Sequence, residues 1–423
     1  MLPSDPGTLS MTCASGKRPF AEAVVEIVRP AMTSSFAFSL RTCLFYLALL
    51  GCSRTKKPDA TVTVGQALTT PVHAAYVTNN GSDSLSLIDR DGTAVTSVPV
   101  DVDPDAHEAP HHLAIDPTTR TAFVALGFPP APGAKKDPHA SHGNASDPGK
   151  LARVDLTTLA VRAAVDVDEN PGDVVLTHDR KRILVTHFDM KRAMDVAARG
   201  AASPATMFAS LVVLDAKTLA RIGSRPICTA PHGIAVSADD RTAYIACYGG
   251  DELAIVDLAS EGLSTARVPL GAALGVPGKP TYGPYSATLS PDGALVVLAD
   301  LEGKDVRVLD PHTKKFGMTV PLAAKAFMPA FVAPRVLLVP TQAPDGLARV
   351  DLDTGTVTAR VSLAKAECGL PHVVKVAHDG RVYMVCEGDH TGPGSVLEID
   401  PETLATRQRW TVGIYPDGID FGD

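Results

Sequence analysis

Three histidines occupy equivalent places along the chain. His111, His232 and His372 each follow a proline and open a short run: Pro110-His111-His112-Leu113, Pro231-His232-Gly233-Ile234 and Pro371-His372-Val373-Val374. Tyr285 and Asp417 hold the same place after Pro284 and Pro416, and Asp173 stands one residue farther on after Pro171. Imidazole nitrogens with a carboxylate suit a borderline transition metal such as zinc or copper. The candidate metal set is therefore His111, His232, His372 and Asp417, with His112, Asp173, Tyr285 and His390 as further groups of a ligand or partner face. A second reading stands beside this one. A histidine after proline also caps a strand end or bonds a neighbouring repeat, and three positions spread around a wide ring would sit too far apart for metal–nitrogen bonds of about 2.0–2.1 Å. His139-Ala-Ser-His142 is a separate pair in a loop rich in Gly, Pro and Ala.

The elements that must position these groups are repeats. The unit PHGIAVSADDRTAYIACYGGDELAIVDL, starting at Pro231, contains a short alternating strand, an Asp-rich turn, a second strand, a Gly turn and a third strand ending in Val-Asp-Leu. Related units start at Pro110, Pro171, Pro284, Pro329, Pro371 and Pro416. Their spacing runs from 42 residues (Pro329 to Pro371) to 61 (Pro110 to Pro171). Four strands with tight turns need roughly 40–45 residues, so the longer steps carry insertions. The last unit stops after one strand at Asp423, while the first begins, at Tyr76-Val77-Thr78-Asn79, with what is elsewhere a second strand. The C-terminal strand then completes the N-terminal unit. That predicts an all-β fold: a single seven-bladed β-propeller over residues 73–423, closed by its two ends with no open sheet edge between them.

Tyr76-Val77-Thr78-Asn79, with Pro231-His232-Gly233-Ile234-Ala235-Val236-Ser237, resembles the YVTN-type β-propeller repeat found in exported and surface proteins of bacteria and archaea. The unit at Pro329 departs most from this pattern, lacking the Asp-Gly turn at the usual place. The resemblance implies the fold and leaves the function open, because one fold hosts many activities. In such a ring the Pro-X positions, the loops after each second strand and the loops before each next proline share one face, here called upper. The insertions 127–150, 188–209, 271–283 and 387–394 all fall on it, with a short helix expected at MKRAMDVAARGA. So do His107, His111, His112, His139, His142, His187, His232, His372 and His390, nine of the 13 histidines. Loops on a rigid scaffold are where function concentrates.

The four cysteines beyond Cys52 fall in two matched pairs. Cys228 and Cys368 each lie three residues before a repeat proline, and Cys247 and Cys386 each end the following second strand. Both members of a pair should meet at the upper face, so disulfides Cys228–Cys247 and Cys368–Cys386 are expected in an oxidising compartment. Four cysteines allow three connectivities, and thiolate ligation beside His232 and His372 is the alternative.

The compartment is indicated by the N-terminal region. Arg41 precedes a short apolar run, Cys43 to Leu50, too short to span a bilayer as a helix, and then Leu49-Leu50-Gly51-Cys52. This resembles a bacterial lipobox, with Cys52 as the lipidated residue. Residues 1–52 are read as signal peptide with a true start at Met32, and 53–72 as a polar tether. Ser53, by resemblance to sorting rules, favours the outer membrane. A lipid-anchored monomer of the cell envelope is expected.

A net charge of −8 without a basic, aromatic-interleaved stripe argues against nucleic acid as a partner. The chain carries no Gly-x-Ser-x-Gly elbow, phosphate loop or His-Glu-x-x-His, and no Cys-x-x-Cys-His for covalent haem. Asp89, Asp155, Asp215, Asp257, Asp310, Asp351 and Asp400 recur at third-strand ends and read as turn formers. Two classes of function remain. The first is a binding or scaffold protein of the envelope, acting on an envelope protein or small ligand through the histidine-rich face; a metal- or haem-associated redox accessory stands apart as a further alternative. The second is a hydrolase of the propeller-lactonase type, in which His111, His232, His372 and Asp417 would act together, with no arginine or glutamate evidently placed to join them.

Overall fold

The structure, a computed structural model, describes residues 70–129, 143–200, 203–271 and 279–423. The proposed lipobox with Cys52, most of the tether, and His139 and His142 lie outside them. The described chain is a seven-bladed β-propeller. Six sheets are antiparallel four-stranded blades, and the blade at 325–362 has a divided first strand. Closure is as the truncated repeats require: Pro416–Phe421 pairs with Ala74–Asn79, registering Ala75 with Phe421 and Val77 with Ile419.

Alternation along each strand places apolar side chains on both faces of the inner three strands, so every blade is apolar toward both neighbours. The core is accordingly a ring of seven seams. One joins Val297, Ala299 and Val306 to Leu337, Val339 and Ala348, and another joins Tyr383, Val385 and Trp410 to Ala75, Val77, Ile419 and Phe421. Outer strands keep only one buried face, as in Thr356–Ser362, where exposed and half-buried residues alternate. All seven third-strand aspartates do the turn-forming work expected of them. Asp155 and Asp400, for example, each accept two backbone N–H groups of the turn that follows, and Asp89, Asp215, Asp257, Asp310 and Asp351 accept at least one.

One recurrent feature has no signature in residue type. The residue before each of six repeat prolines takes left-handed backbone: Ala109, Asn170, Ala230, Leu370 and Tyr415 have φ between 49 and 54°, and Gly283 has 59°. Non-glycine residues rarely adopt this conformation, and residues before proline ordinarily prefer extended backbone. Here it reverses the chain from the loop on the upper face into the next inner strand. At all six positions the carbonyl of this residue accepts the N–H of the residue that follows the second strand of the same blade, as in Tyr248 to Ala230 and Glu387 to Leu370.

The unit at Pro329 is irregular, as its sequence suggested. Its first strand is split into Lys325–Ala326 and Ala330–Ala333, both paired with Val336–Gln342. The expected short helix forms at Met190–Ala198, with the Asp189 side chain accepting from the Arg192 N–H as its N-cap.

Glu252 is almost fully buried at the head of a third strand, with Arg267 no nearer than 4.0 Å. Burial pushes its carboxyl up from 4.5 to about 7. A carboxyl raised in the folded state stabilises the fold below its unfolded value, and that stability is lost as pH rises through about 7. Urea midpoints should therefore fall between pH 5 and pH 8 more steeply for the native chain than for Glu252→Gln. Parallel profiles would contradict this assignment.

Candidate functional site

The inner strands run down the channel, and their second residues point into it. Each is held by the neighbouring blade. The His232 carbonyl accepts from the Thr186 hydroxyl at 2.7 Å, the His111 carbonyl from the Thr78 hydroxyl, and the His372 carbonyl from the Met328 N–H at 3.0 Å. Close approach of blades also requires glycine after His232: a Cβ at Gly233 would lie 2.6 Å from the Ser286 Cα.

The expected wide ring is not what forms. His111, His112, His232, His372, Tyr285 and Asp417 are all at most 4% exposed and fill the channel as a continuous layer. His111 Nε2 lies 3.4 Å from His232 Nε2, although their blades are not adjacent. Seven inner strands crowd the axis closely enough that long side chains from alternate blades meet. The layer contains two convergent triads. In one, single nitrogens of His111, His112 and His232 lie within 4.8 Å of one another; in the other, His372, Glu387 and Asp417 do the same.

The candidate metal set inferred from the sequence is thereby divided. His111 and His232 belong to the first triad and His372 and Asp417 to the second. Asp417 joins them, one oxygen bonded to His111 Nδ1 and the other 2.8 Å from His372 Nδ1. His112 is promoted from the surrounding face to the first triad, and its Nε2 is buried with no hydrogen-bond partner. Glu387 is the residue that sequence reasoning missed, and it overturns the expectation that no glutamate joins the histidines. It is fully buried, 3.4 Å from His372 Nδ1. A signal for it existed: Cys386 ends a second strand, and the residue after that end turns inward, as Phe188 and Tyr248 do in two other blades.

The remaining candidates support these triads. Tyr285 stacks on His232 with ring centroids 3.9 Å apart, and its hydroxyl lies 3.2 Å from His372 Nε2. His390 stacks on Tyr415 and holds Glu387 Oε2 at 2.6 Å. Asp173 accepts backbone N–H groups from Val174 and Ile234, and one oxygen is 3.7 Å from His112 Nδ1. His107 and His187 lie apart from the layer, the former paired with Asp83 and the latter bonded to the Ser210 carbonyl. Cys228–Cys247 and Cys368–Cys386 form the two expected disulfides, so these four sulfurs are not thiolate ligands.

Electrostatics separate the triads. Burial, reinforced by His111, holds His112 well below its usual value, so it is a neutral imidazole with a lone pair to offer. Burial alone would lower His372 as well, but Glu387 and Asp417 outweigh it and push it up to about 9. Burial would raise Asp417, yet His111 and His372 hold it well below the ordinary carboxylate range. Burial raises Asp173 to about 6.

Two cavities flank the layer. Above it, Phe188, Tyr285, Leu301 and Phe327 form an apolar cap, with Phe327 coming from the irregular blade. Over this cap opens a cavity of about 900 Å³, walled by Met190 and Met194 of the inserted helix, Tyr248, Leu363 and Leu370, with Lys325, Glu302, Lys365 and Asp345 among its polar groups. Below, His112 and Asp173 line a cavity of about 430 Å³ with Ser286, Thr288 and Lys375. His112 thus belongs to the lower side of the layer, not to the upper face where its sequence position had put it.

No family profile and no curated protein matches this chain. Among solved structures, the periplasmic gluconolactonase PpgL of Pseudomonas aeruginosa is similar at 19% identity and a TM-score of 0.59, covering 82% of this chain and 98% of that one. A putative 6-phosphogluconolactonase from Bacteroides fragilis is similar at 13% identity and a TM-score of 0.59, over 84% of this chain and 99% of that one. A functionally unknown protein from Desulfotomaculum acetoxidans reaches 0.58 at 13% identity, over 82% and 98%. The shared property is the propeller. At these identities the channel residues must be argued from their own geometry.

Proposed function

We propose that this chain is an exported, lipid-anchored binding protein of the cell envelope that holds a transition metal, zinc or copper, on His111, His112 and His232 in its channel. The observation that carries the reading is the convergence of three buried imidazoles from two non-adjacent blades, His111 and His112 from one and His232 from the other. Their donor set suits zinc or copper. Asp417 on His111 Nδ1 is the outer carboxylate that ordinarily fixes the tautomer of a metal-bound histidine, leaving Nε2 as the ligand atom. Three protein ligands leave a fourth position for water or an incoming group. The cavity of about 900 Å³ on the upper side is of a size to hold a small ligand. Two disulfides suit an oxidising compartment and so support export.

Metal content of the purified protein tests the reading. A His112→Ala/His232→Ala variant is expected to lose one tightly held transition-metal ion per chain relative to the native protein, while keeping its far-UV dichroism. No metal in either protein would sink the proposal.

A lactonase is the second reading, favoured by Glu387, which adds an acid to the histidine layer, and by the propeller shared with a gluconolactonase. Turnover of a panel of sugar and acyl lactones, abolished by Glu387→Gln, would support it. Absence of turnover across the panel by the metal-loaded protein would remove it.

A further inference from the structure

The second triad has the anatomy of a metal site in its own right. His372 Nδ1 lies 2.8 Å from Asp417 Oδ1 and 3.4 Å from Glu387 Oε1, and the donor atoms all fall within 4.8 Å of one another. The far atom of each ligand is engaged by a different side chain. The Tyr285 hydroxyl lies 3.2 Å from His372 Nε2, His390 Nε2 lies 2.6 Å from Glu387 Oε2, and His111 Nδ1 bonds the second oxygen of Asp417. Metal ligands are characteristically oriented by such outer partners. Two carboxylates, both at most 1% exposed, each turn one oxygen toward His372 Nδ1 while the other oxygen is held by a different histidine. A divalent cation matches the charge of two buried carboxylates that converge on one imidazole.

We propose that His372, Glu387 and Asp417 bind a second divalent transition cation, separate from the one on His111, His112 and His232, with Asp417 connecting the two sites through His111. This rests on the reading of the first triad given above. One imidazole with two carboxylates is a harder donor set than three imidazoles, so zinc or manganese suits it better than copper. Tyr285 and His390 are positioning residues here. They touch the ligands and not the ion.

The test is zinc per chain after the purified protein is equilibrated with Zn²⁺ and desalted. About two ions are expected in the native protein, with about one in Glu387→Gln and about one in His112→Ala. Tyr285→Phe, which removes a single hydroxyl, should weaken only the second ion, by about 10–100-fold in Kd. It also decides the matter if Glu387→Gln does not fold. One ion in the native protein and one in Glu387→Gln would overturn the second site and leave the first standing. A single ion in the native protein, absent from both Glu387→Gln and His112→Ala, would overturn it in favour of one shared ion. No zinc in any of these proteins would overturn both sites together.

Discussion

Ending the chain at Tyr415 is expected to abolish cooperative folding, although it removes only the last eight residues, 416–423. These residues are the inner strand of the blade that joins the chain ends. Ile419 and Phe421 pack into the seam with Ala75, Val77, Tyr383 and Trp410, and burial of such side chains contributes about 1.5–3 kcal/mol each. Arg90 is 1% exposed, lies against the Tyr383 and Phe421 rings, and pairs with Asp379 and with Asp423 at the end of the chain. Removing Asp423 leaves buried Arg90 with Asp379 alone, a loss below the ~3–5 kcal/mol of stripping a buried charge of its only partner. Together these losses are comparable to the whole stability of a typical domain, about 5–15 kcal/mol. They also expose Ala74–Asn79 as an unpaired edge inviting aggregation. Soluble yield and a thermal melt followed by dichroism check this. A truncated chain that melts cooperatively at the native temperature would show that the closure is dispensable. Because Asp417 lies on the same strand, the truncation also dismantles the histidine layer, so fold and candidate site fail together.

Reduction of both disulfides is the second large effect. Cys228–Cys247 and Cys368–Cys386 close loops with sequence separations of 19 and 18 residues. Each is expected to contribute about 3 kcal/mol, and the two together about 6 kcal/mol, since they lie in different seams and should add. A quadruple Cys→Ser variant should show that loss in its urea midpoint, and each double variant about half of it. A variant as stable as the native chain would mean that the seams alone hold these loops. The bridges also touch the site. Cys386 immediately precedes Glu387, and Cys228 lies four residues before His232, so loss of metal affinity is expected to accompany loss of stability.

Most of the fold was legible in the sequence because a propeller is a local grammar repeated. Strand alternation, Asp turns and prolines at strand starts are fixed within one unit. The missing first strand at Tyr76 and the surplus one at Pro416 are complementary only if the ring closes. The cysteine pairs were legible for the same reason, since their places relative to Pro231 and Pro371 put both partners of each pair at the upper face; that Cys228 sits on the outer strand of the preceding blade, so that its bridge to Cys247 ties two blades together, came from the structure. Types and equivalent positions of His111, His232, His372, Tyr285 and Asp417 could likewise be read directly. Only the tertiary structure decided how these groups meet. Distance across the channel depends on how closely seven twisted sheets crowd an axis, and that is set by seam packing between residues far apart in sequence. This crowding brings His111 against His232, divides the layer into two triads, and places His112 on its lower side. Glu387 joins because a loop turns inward, and the left-handed residues before the prolines, from Ala109 to Tyr415, share a conformation and one recurring backbone hydrogen bond across five different residue types.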